Sequence, residues 1–401
     1  MYFTSRNASV SKIVYKTGGG VDKKGGKAAQ FAASLWLLIM LEHFFEPHLP
    51  GATGCSTSAG SLGSRIISAH SPDFVMPQHA VVLFSVGAND PAWRRALYAL
   101  SDWETRVPII DLGLFKYTPQ AANNLQGLKQ VLQLLNEKQA MVCAIDHSNL
   151  LPAAQWECLQ QAPNPSEWCC ISPNLEPDVL QCALETLEQN RSLPWCLRFN
   201  RIANQEFYVK TRDYKTWQQV LCDDLSVGSF REDPTRAEPL LRNAHSVSFF
   251  LDALKATEYG DPARHNPSGL HSEEACKIMW YAGMSNHLQN MVLAHLGSTP
   301  ISLHTAELLA QMTWYFCKAA TLKPKDMPDE NNPEFTLIRC PASELSPDEE
   351  LVFLLNSDTQ RVWIQMERMG KNYWMACHYN DLALAQEGAV PNLWFHNLKL
   401  P

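Results

Sequence analysis

The chain has 401 residues, of which 46% are hydrophobic, so it is long enough to bury a large core. Its 33 basic and 41 acidic residues give a net charge of -8, and no run of lysine or arginine is long enough to follow a phosphate backbone. We therefore expect one large domain with an appendage, and nucleic acid is excluded as a partner.

The cysteines and the N-terminal region indicate where the protein is located. The 12 cysteines lie singly in apolar segments, apart from Cys169 and Cys170, and none forms a CxxC pair. This pattern is typical of buried thiols in a reducing compartment, so we predict core packing for both adjacent cysteines. The apolar segment Ala28–Leu41 is too short to span a bilayer. We predict a cytoplasmic protein without a membrane partner and with a flexible N-terminal extension at 1–39.

Apolar segments and helix-like segments alternate after about residue 80. VVLFSV (81–86) and VPIIDLGLF (107–115) have the composition of buried strands, and PAWRRALYAL (91–100) between them predicts a helix. Ala121–Lys138 places its leucines on one face, which predicts an amphipathic helix that leads into the next strand. This alternation is typical of βαβ units, so the sequence predicts an α/β domain with a mainly parallel sheet.

Four further apolar segments end in short polar or loop-forming sequences. They are MVCAIDHS (141–148), WCCISPNLE (168–176), SVSFFLDAL (246–254) and NMVLAHLG (290–297). In an open α/β sheet, ligands bind beyond the carboxyl ends of the strands. We therefore expect the residues at these four ends to determine the function.

The C-terminal region has a different pattern. Two predicted helices, Ser272–Met284 and Thr305–Ala320, cover a face of the sheet and complete a main domain at 40–330. After a polar, proline-rich stretch, short alternating segments predict a small β-rich appendage at 335–401, whose tryptophans pack it against the main domain. The segments with this pattern are ELVFLLN (350–356), RVWIQMER (361–368) and NYWMACHY (372–379).

Several segments occur in an order that resembles one known family. They are RRALYAL, PIIDLG, AIDHS, QEFYV, EPLLRNAHSVSF, NPSGLHSEEACKIMWYAGMS and TAELLAQMTWYF. Over roughly residues 40 to 400 the chain resembles the arginase, agmatinase and formimidoylglutamase family, the ureohydrolases, and in particular formimidoylglutamase-like members with a C-terminal extension. The resemblance implies a three-layer α/β/α domain. It also implies a hydrolase of guanidino or formimino groups that uses two Mn ions to activate a water.

The resemblance further implies that three strand-end motifs supply the metal ligands. The family motifs Gly-Gly-Asp-His-Ser, Asp-x-His-x-Asp and Asp-x-Asp correspond here to AIDHS, SPNLE and FLD. One good ligand remains in each motif, namely His147, Glu176 and Asp252. Phe250 stands where the family has a bridging acid, and Ala294 lies near the position of a glutamate that contacts the substrate.

The remaining donors carry too little negative charge for two metal ions. The family pattern has four acids and two histidines, whereas this chain offers Glu176, Asp252 and His147. Two divalent cations would keep a net charge of about +2 in a partly desolvated cleft, which is costly. We therefore expect no cofactor, or at most one divalent metal ion, which would be Mn, Zn or Fe.

Three functions follow from this sequence. The first, which we favour, is a catalytically inactive pseudoenzyme with a binding, assembly or regulatory role. The second is an active, metal-dependent hydrolase of a formimino or guanidino C–N bond with a mononuclear or relocated site, for which nearby acids are Asp146, Asp178, Glu258 and Asp261. The third is a small-molecule sensor that binds an apolar or amide ligand beside Phe250. The partner is an unknown protein or small molecule, and assembly into a homo-oligomer stays open.

Overall fold

The computed structural model describes most of the chain from residue 43 to residue 398. The described residues are 43–47, 55–69, 74–88, 91–162, 166–174, 197–209, 221–259, 266–296, 300–342, 344–345, 349–368 and 370–398. The predicted N-terminal extension at 1–39 and the predicted ligand Glu176 lie outside these residues.

A ten-stranded sheet forms the centre of the main domain. Its strands are β1 (Phe45–Glu46), β2 (Ile66–Ser68), β3 (Val81–Val86), β4 (Ile109–Phe115), β5 (Met141–Asp146), β6 (Ser166–Ile171), β7 (Leu197–Asn204), β8 (Leu221–Ser226), β9 (Ser246–Phe250) and β10 (Asn290–Ala294). The strand order is β1-β4-β3-β5-β10-β9-β6-β7-β8, with β2 also beside β4. All pairs are parallel except β1 with β4, which confirms the predicted mainly parallel sheet.

Helices cover both faces of this sheet. They are α1 (Pro91–Ala99), α2 (Ala121–Glu137), α3 (Leu150–Gln160), α4 (Val227–Glu232), α5 (Ala237–Asn243), α6 (Ser272–Gly283) and α7 (Leu303–Leu322). Helices α2 and α3 share one apolar core with the sheet, and α1, α5, α6 and α7 share the other. The three-layer α/β/α prediction is confirmed, and the buried central strands are apolar at nearly every position because both of their faces are covered. Within the described part of the chain, no helix has the length and apolar character needed to cross a bilayer.

The C-terminal appendage is a separate antiparallel sheet with two helices. Its strands, in spatial order, are β11 (Phe335–Pro341), β12 (Glu350–Asn356), β13 (Val362–Arg368) and β14 (Lys371–Cys377). The predicted β-rich character is confirmed, but α8 (Tyr379–Gln386) and α9 (Asn392–Leu398) were not predicted. Helix α8 begins directly after β14 because His378 and Asp381 form a capping box, and histidine is not among the residues that usually signal a helix start.

The appendage is held to the main domain by the end of helix α5. The guanidinium of Arg242 lies 4.3 Å from the ring centre of Trp363 and donates a 3.1 Å hydrogen bond to the carbonyl of Val362. The side-chain amide of Asn243 exchanges two hydrogen bonds of 3.1 and 3.0 Å with the backbone of Ala376 in β14. Asn243 thus pairs with the edge of the small sheet as another strand would, and Trp363 packs at the junction as predicted.

Candidate functional site

The carboxyl ends of β5, β10 and β9 meet at one edge of the sheet. Asp146 is paired in register with Ala294, and Ala294 is paired with Phe250. Strand β6 lies beside β9, with Ile171 opposite Phe249. The four predicted strand ends are therefore neighbours, and we call this region the carboxyl-edge site.

Asp146 is a structural carboxylate at the end of β5. It is fully buried and accepts hydrogen bonds from the amide and hydroxyl of Ser148 (2.8 and 2.6 Å) and from the amide of Leu151 (2.6 Å). Burial raises the pKa of Asp146 above its usual range, although these hydrogen bonds oppose the shift. Both of its oxygens are thus engaged in fixing the start of α3, which leaves little capacity for a metal ion.

His147 occupies the position that the first motif predicts. Its backbone amide donates a 3.0 Å hydrogen bond to the carbonyl of Val86, which places it between the ends of β3 and β5. The neighbouring Gly87 has a φ of +83°, and a Cβ atom there would lie 3.0 Å from the amide nitrogen of Ser148. Glycine is therefore required at position 87, because a side chain there would be strained by the positive φ and crowded by the backbone of Ser148. The structure therefore keeps His147 at the site, and its role as a ligand stays a prediction.

The end of β6 carries no strong metal ligand among its described residues. The hydroxyl of Ser172 donates a 2.8 Å hydrogen bond to the backbone carbonyl of Asn174, which stabilises the turn after the strand. Glu176, the one acid of this motif, lies outside the described residues. Its predicted participation with His147 and Asp252 stays a prediction.

The end of β9 shows an interaction that the motifs do not indicate. Nδ1 of His295, the first residue after β10, lies 2.6 Å from Oδ2 of Asp252. With Asp252 ionised, its carboxylate can only accept a hydrogen bond, and Nδ1 of His295 is then the donor. The fully buried ring of Phe250 packs edge to face against the imidazole, with 5.0 Å between the ring centres. Asp252 and His295 therefore form a fixed carboxylate and imidazole pair.

The backbone around this pair adopts uncommon conformations. His295 has a φ of +57° and Asn149, which follows the end of β5, has a φ of +58°. The side-chain oxygen of Asn149 accepts a 3.0 Å hydrogen bond from the amide of His295. Non-glycine residues adopt such angles at a cost and are concentrated at functional sites. The two residues therefore hold each other in conformations that orient the imidazole.

A small cleft lies beside the Asp252 and His295 pair. Its volume is about 180 Å³, and Asn266 fixes one wall by donating a 2.9 Å hydrogen bond to the carbonyl of Asp252. A cleft of this volume suits a ligand of only a few non-hydrogen atoms. The lining residues are Pro173, Asn174, Tyr208, Leu251, Asp252, Leu254, Tyr259 and Asn266.

Other acids and thiols near the site have structural roles. Glu258 accepts from the hydroxyl of Ser272 and lies 3.2 Å from Nδ1 of His271, and these contacts lower its pKa and fix the start of α6. Cys169 and Cys170 are fully buried, and burial raises the pKa of both thiols, which confirms core packing. Asp178 and Asp261 lie outside the described residues.

The described donors do not fit a dinuclear metal centre. Across residues 43–398, excluding the gaps given above, there is no group of three or more His, Cys, Asp or Glu side chains that could hold a metal ion. Phe250 offers no ligand, Asp146 is buried and accepts three hydrogen bonds, and the carboxylate of Asp252 contacts the imidazole of His295. Two divalent ions would need several more carboxylates than these.

The main domain is similar to solved ureohydrolase structures, although no family model and no curated protein matches the chain. It superposes on formimidoylglutamase from Bacillus subtilis subsp. subtilis str. 168 with a TM-score of 0.54 and 13% identity, over 69% of this chain and 99% of that one. A Trypanosoma cruzi formiminoglutamase with Mn has a TM-score of 0.52 and 13% identity, over 61% and 94% of the two chains. An arginase superfamily protein from the same organism is equally similar, with a TM-score of 0.52. The chain therefore has the arginase-like ureohydrolase fold.

Proposed function

We propose that this arginase-fold protein is a pseudoenzyme that has lost dinuclear manganese hydrolysis and keeps a binding or regulatory role. The observation that carries the proposal is the aromatic side chain of Phe250 at a position where the family resemblance implies a bridging carboxylate. Phe250 is 0% exposed and packs against His295, so it fills the space rather than leaving it for an ion and its water. An aromatic ring supplies neither charge nor a lone pair to a divalent cation.

The electrostatics of the carboxyl-edge site support the same proposal. A metal ion that bound Asp252 would compete with a 2.6 Å hydrogen bond from His295, and one that bound Asp146 would compete with three hydrogen bonds. Each exchange removes existing hydrogen bonds from a partly or fully buried carboxylate. Two bound ions would in addition lack the negative charge that family members provide, so their mutual repulsion would be poorly compensated.

The cleft beside Asp252 supports a binding role for the same site. Its walls combine apolar side chains, such as Leu251 and Leu254, with the polar groups of Asn174 and Asn266. Concave sites with apolar walls and a few oriented polar groups are typical of small-molecule binding. The ligand that suits this lining is small and bears an amide-like group, and the protein would then act as a sensor or a regulatory subunit.

A second candidate function is a hydrolase with a single metal ion, and the Asp252 and His295 pair favours it. The pair brings a carboxylate and an imidazole together at the carboxyl ends of adjacent strands. With Glu176 as a third donor, the set would resemble mononuclear sites of mixed nitrogen and oxygen ligands. The substrate would then be a formimino or guanidino compound, as the name of the similar formimidoylglutamase indicates for that protein.

Metal analysis combined with activity measurements tests the proposal. The purified chain is incubated with Mn, freed of unbound metal, and assayed for bound metal and for turnover of formiminoglutamate, arginine and agmatine. We expect no turnover and far less than one Mn per chain. Two bound Mn ions with turnover would show that the pseudoenzyme proposal is wrong.

Variants separate the two candidate functions. Asp252→Asn and His295→Ala each remove one candidate donor, and Glu350→Gln is a matched control because this carboxylate is 53% exposed and lies on the appendage. One bound metal with turnover that is lost in both site variants, and kept in the control, supports the mononuclear hydrolase. If the wild type and all three variants bind the same amount of metal, the metal is held outside the carboxyl-edge site. That result supports the pseudoenzyme proposal.

A further inference from the structure

A second cleft lies between the main domain and the appendage, away from the carboxyl-edge site. It is bounded by α5, α6, the turn between β12 and β13, and the end of β14, and its volume is about 420 Å³. This volume lies within the range that is typical of small-molecule sites. We call it the appendage cleft. The lining residues that matter here are Thr235, Glu238, Arg242, Tyr281, Arg361 and His378.

The appendage cleft is lined by two largely buried arginines. Arg242 and Arg361 both line it, with side chains that are 3% and 10% exposed, and hydroxyl and imidazole groups surround them. Glu238 is the one carboxylate in its lining. Asp326 contacts Arg361 from outside the lining, so among the described residues the two arginines face two carboxylates in all.

The two arginines are unequally compensated. Arg361 contacts Glu238 at 3.1 Å and also contacts Asp326 at 3.1 Å. Among the residues that the structure describes, the one carboxylate paired with Arg242 is Glu238, at a longer distance of 3.3 Å, and Arg242 shares it with Arg361. Because the more deeply buried arginine has the weaker ion pair, an additional anion near Arg242 would be favourable.

The guanidinium of Arg242 also has donors that no acceptor satisfies. Nη2 donates to the carbonyls of Val362 and Cys377 at 3.1 and 3.3 Å, whereas Nε and Nη1 are buried and have no hydrogen-bond partner among the described residues. The ring of Trp363 covers one face of the guanidinium at 4.3 Å. The N–H groups point outward in the guanidinium plane, so the ring does not satisfy them. Buried charged donors of this kind are normally paired.

We infer that the appendage cleft binds a small organic anion whose carboxylate or phosphoryl oxygens accept hydrogen bonds from Arg242. The planar guanidinium suits two oxygens of one such group. The hydroxyl of Tyr281 lies at the same cleft and adds a neutral donor, and Trp280 offers an apolar surface for the body of the ligand. The bound anion would contact α5 of the main domain and the β13 and β14 strands of the appendage together. It would therefore strengthen the junction between them.

Ligand-dependent thermal stability and calorimetry on the full chain test this inference. The probes are inorganic phosphate, citrate and adenosine monophosphate, each compared with chloride at the same ionic strength. We expect saturable binding of citrate or of one of the phosphates, with a melting temperature that rises with ligand concentration. Citrate alone indicates a carboxylate ligand, and phosphate or the nucleotide alone indicates a phosphoryl ligand. No saturable binding of any probe up to about 10 mM, a level that detects even weak sites, would contradict the inference.

Variants locate the binding. Arg242→Lys keeps the charge but loses the planar donors, and we expect affinity to fall at least about tenfold. If that variant does not fold, Tyr281→Phe replaces it, because this change removes only one hydroxyl group from the cleft, and affinity should again fall. Arg339→Gln is the matched control, since this arginine is 58% exposed on the appendage. Binding that is unchanged by both cleft variants, or reduced equally by the control, would place the anion elsewhere and refute the inference.

Discussion

A double-mutant cycle on the Asp252 and His295 pair tests whether the carboxyl-edge site is built around this hydrogen bond. Asp252→Ala removes the carboxylate that contacts Nδ1 of His295, and His295→Leu removes both ring nitrogens. The side chains are 26% and 17% exposed, so solvent only partly screens their 2.6 Å contact. The free energy of unfolding is compared for the wild type, the two single variants and the double variant.

The expected magnitudes follow from the contacts. A charge-assisted hydrogen bond contributes about 1.5 kcal/mol at the lower end of its range, which is appropriate for partly exposed groups. His295→Leu also loses the edge-to-face contact with Phe250, which is worth about 1 kcal/mol. We therefore expect losses of about 1.5 kcal/mol for Asp252→Ala, and of about 2.5 kcal/mol for both His295→Leu and the double variant.

Urea unfolding followed by tryptophan fluorescence gives the four free energies. The test is the difference between the double variant and the sum of the single variants, which should be a coupling of about 1.5 kcal/mol. The effects of independent sites add to within about 0.5 kcal/mol. A coupling energy below that value would therefore show that the two side chains do not interact in solution. The description of a fixed carboxylate and imidazole pair would then be wrong.

Three further predictions concern the scaffold. Arg94→Met leaves the buried carboxylate of Asp111 without its 2.8 Å partner and should cost about 3–5 kcal/mol in urea unfolding, whereas the double variant with Asp111→Leu should cost less. Burial lowers the pKa of His245 from 6.5 to about 4. As the pH falls, His245 therefore becomes protonated in the unfolded chain before it does so in the folded protein. About 3 kcal/mol of stability, complete above pH 6.5, should therefore be lost between pH 6.5 and 4, and His245→Gln should abolish that loss. Gly283→Ala would place a Cβ atom 2.5 Å from the carbonyl oxygen of Phe316 and should lower the melting temperature by about 3 °C, for a loss of about 2 kcal/mol.

The sequence predicted the main domain well because the hydrophobic residues of its strands and of its helices follow clear and different patterns. The segment Met141–Asp146 is apolar at every position except its last residue, which is typical of a strand that is covered on both faces. The leucines of Ala121–Glu137 recur with helical spacing and pack on the sheet as expected. Such elements are determined by local hydrophobic pattern, so no knowledge of their neighbours is needed.

The appendage was less predictable because its helices are short. Helix Tyr379–Gln386 has only eight residues, too few for the apolar period to be distinguished from the strand pattern that precedes it. Its start depends on a capping box in which His378 takes the place of serine or threonine. Tertiary contacts with the small sheet, such as those of Leu382, then stabilise the helix.

The Asp252 and His295 pair was missed because motif alignment examines one strand at a time. The family resemblance places a glutamate near Ala294 in β10, and it indicates nothing about His295, which follows Ala294. The register between β9 and β10 sets Ala294 beside Phe250, so the residues just beyond both strands, including Asp252, lie at the same edge. Which residues meet at a sheet edge therefore depends on the order of the strands, and a single sequence does not reveal that order. Phe250, Asp252 and His295 thus form one cluster at this edge, since the aromatic ring of Phe250 packs against the imidazole that contacts Asp252.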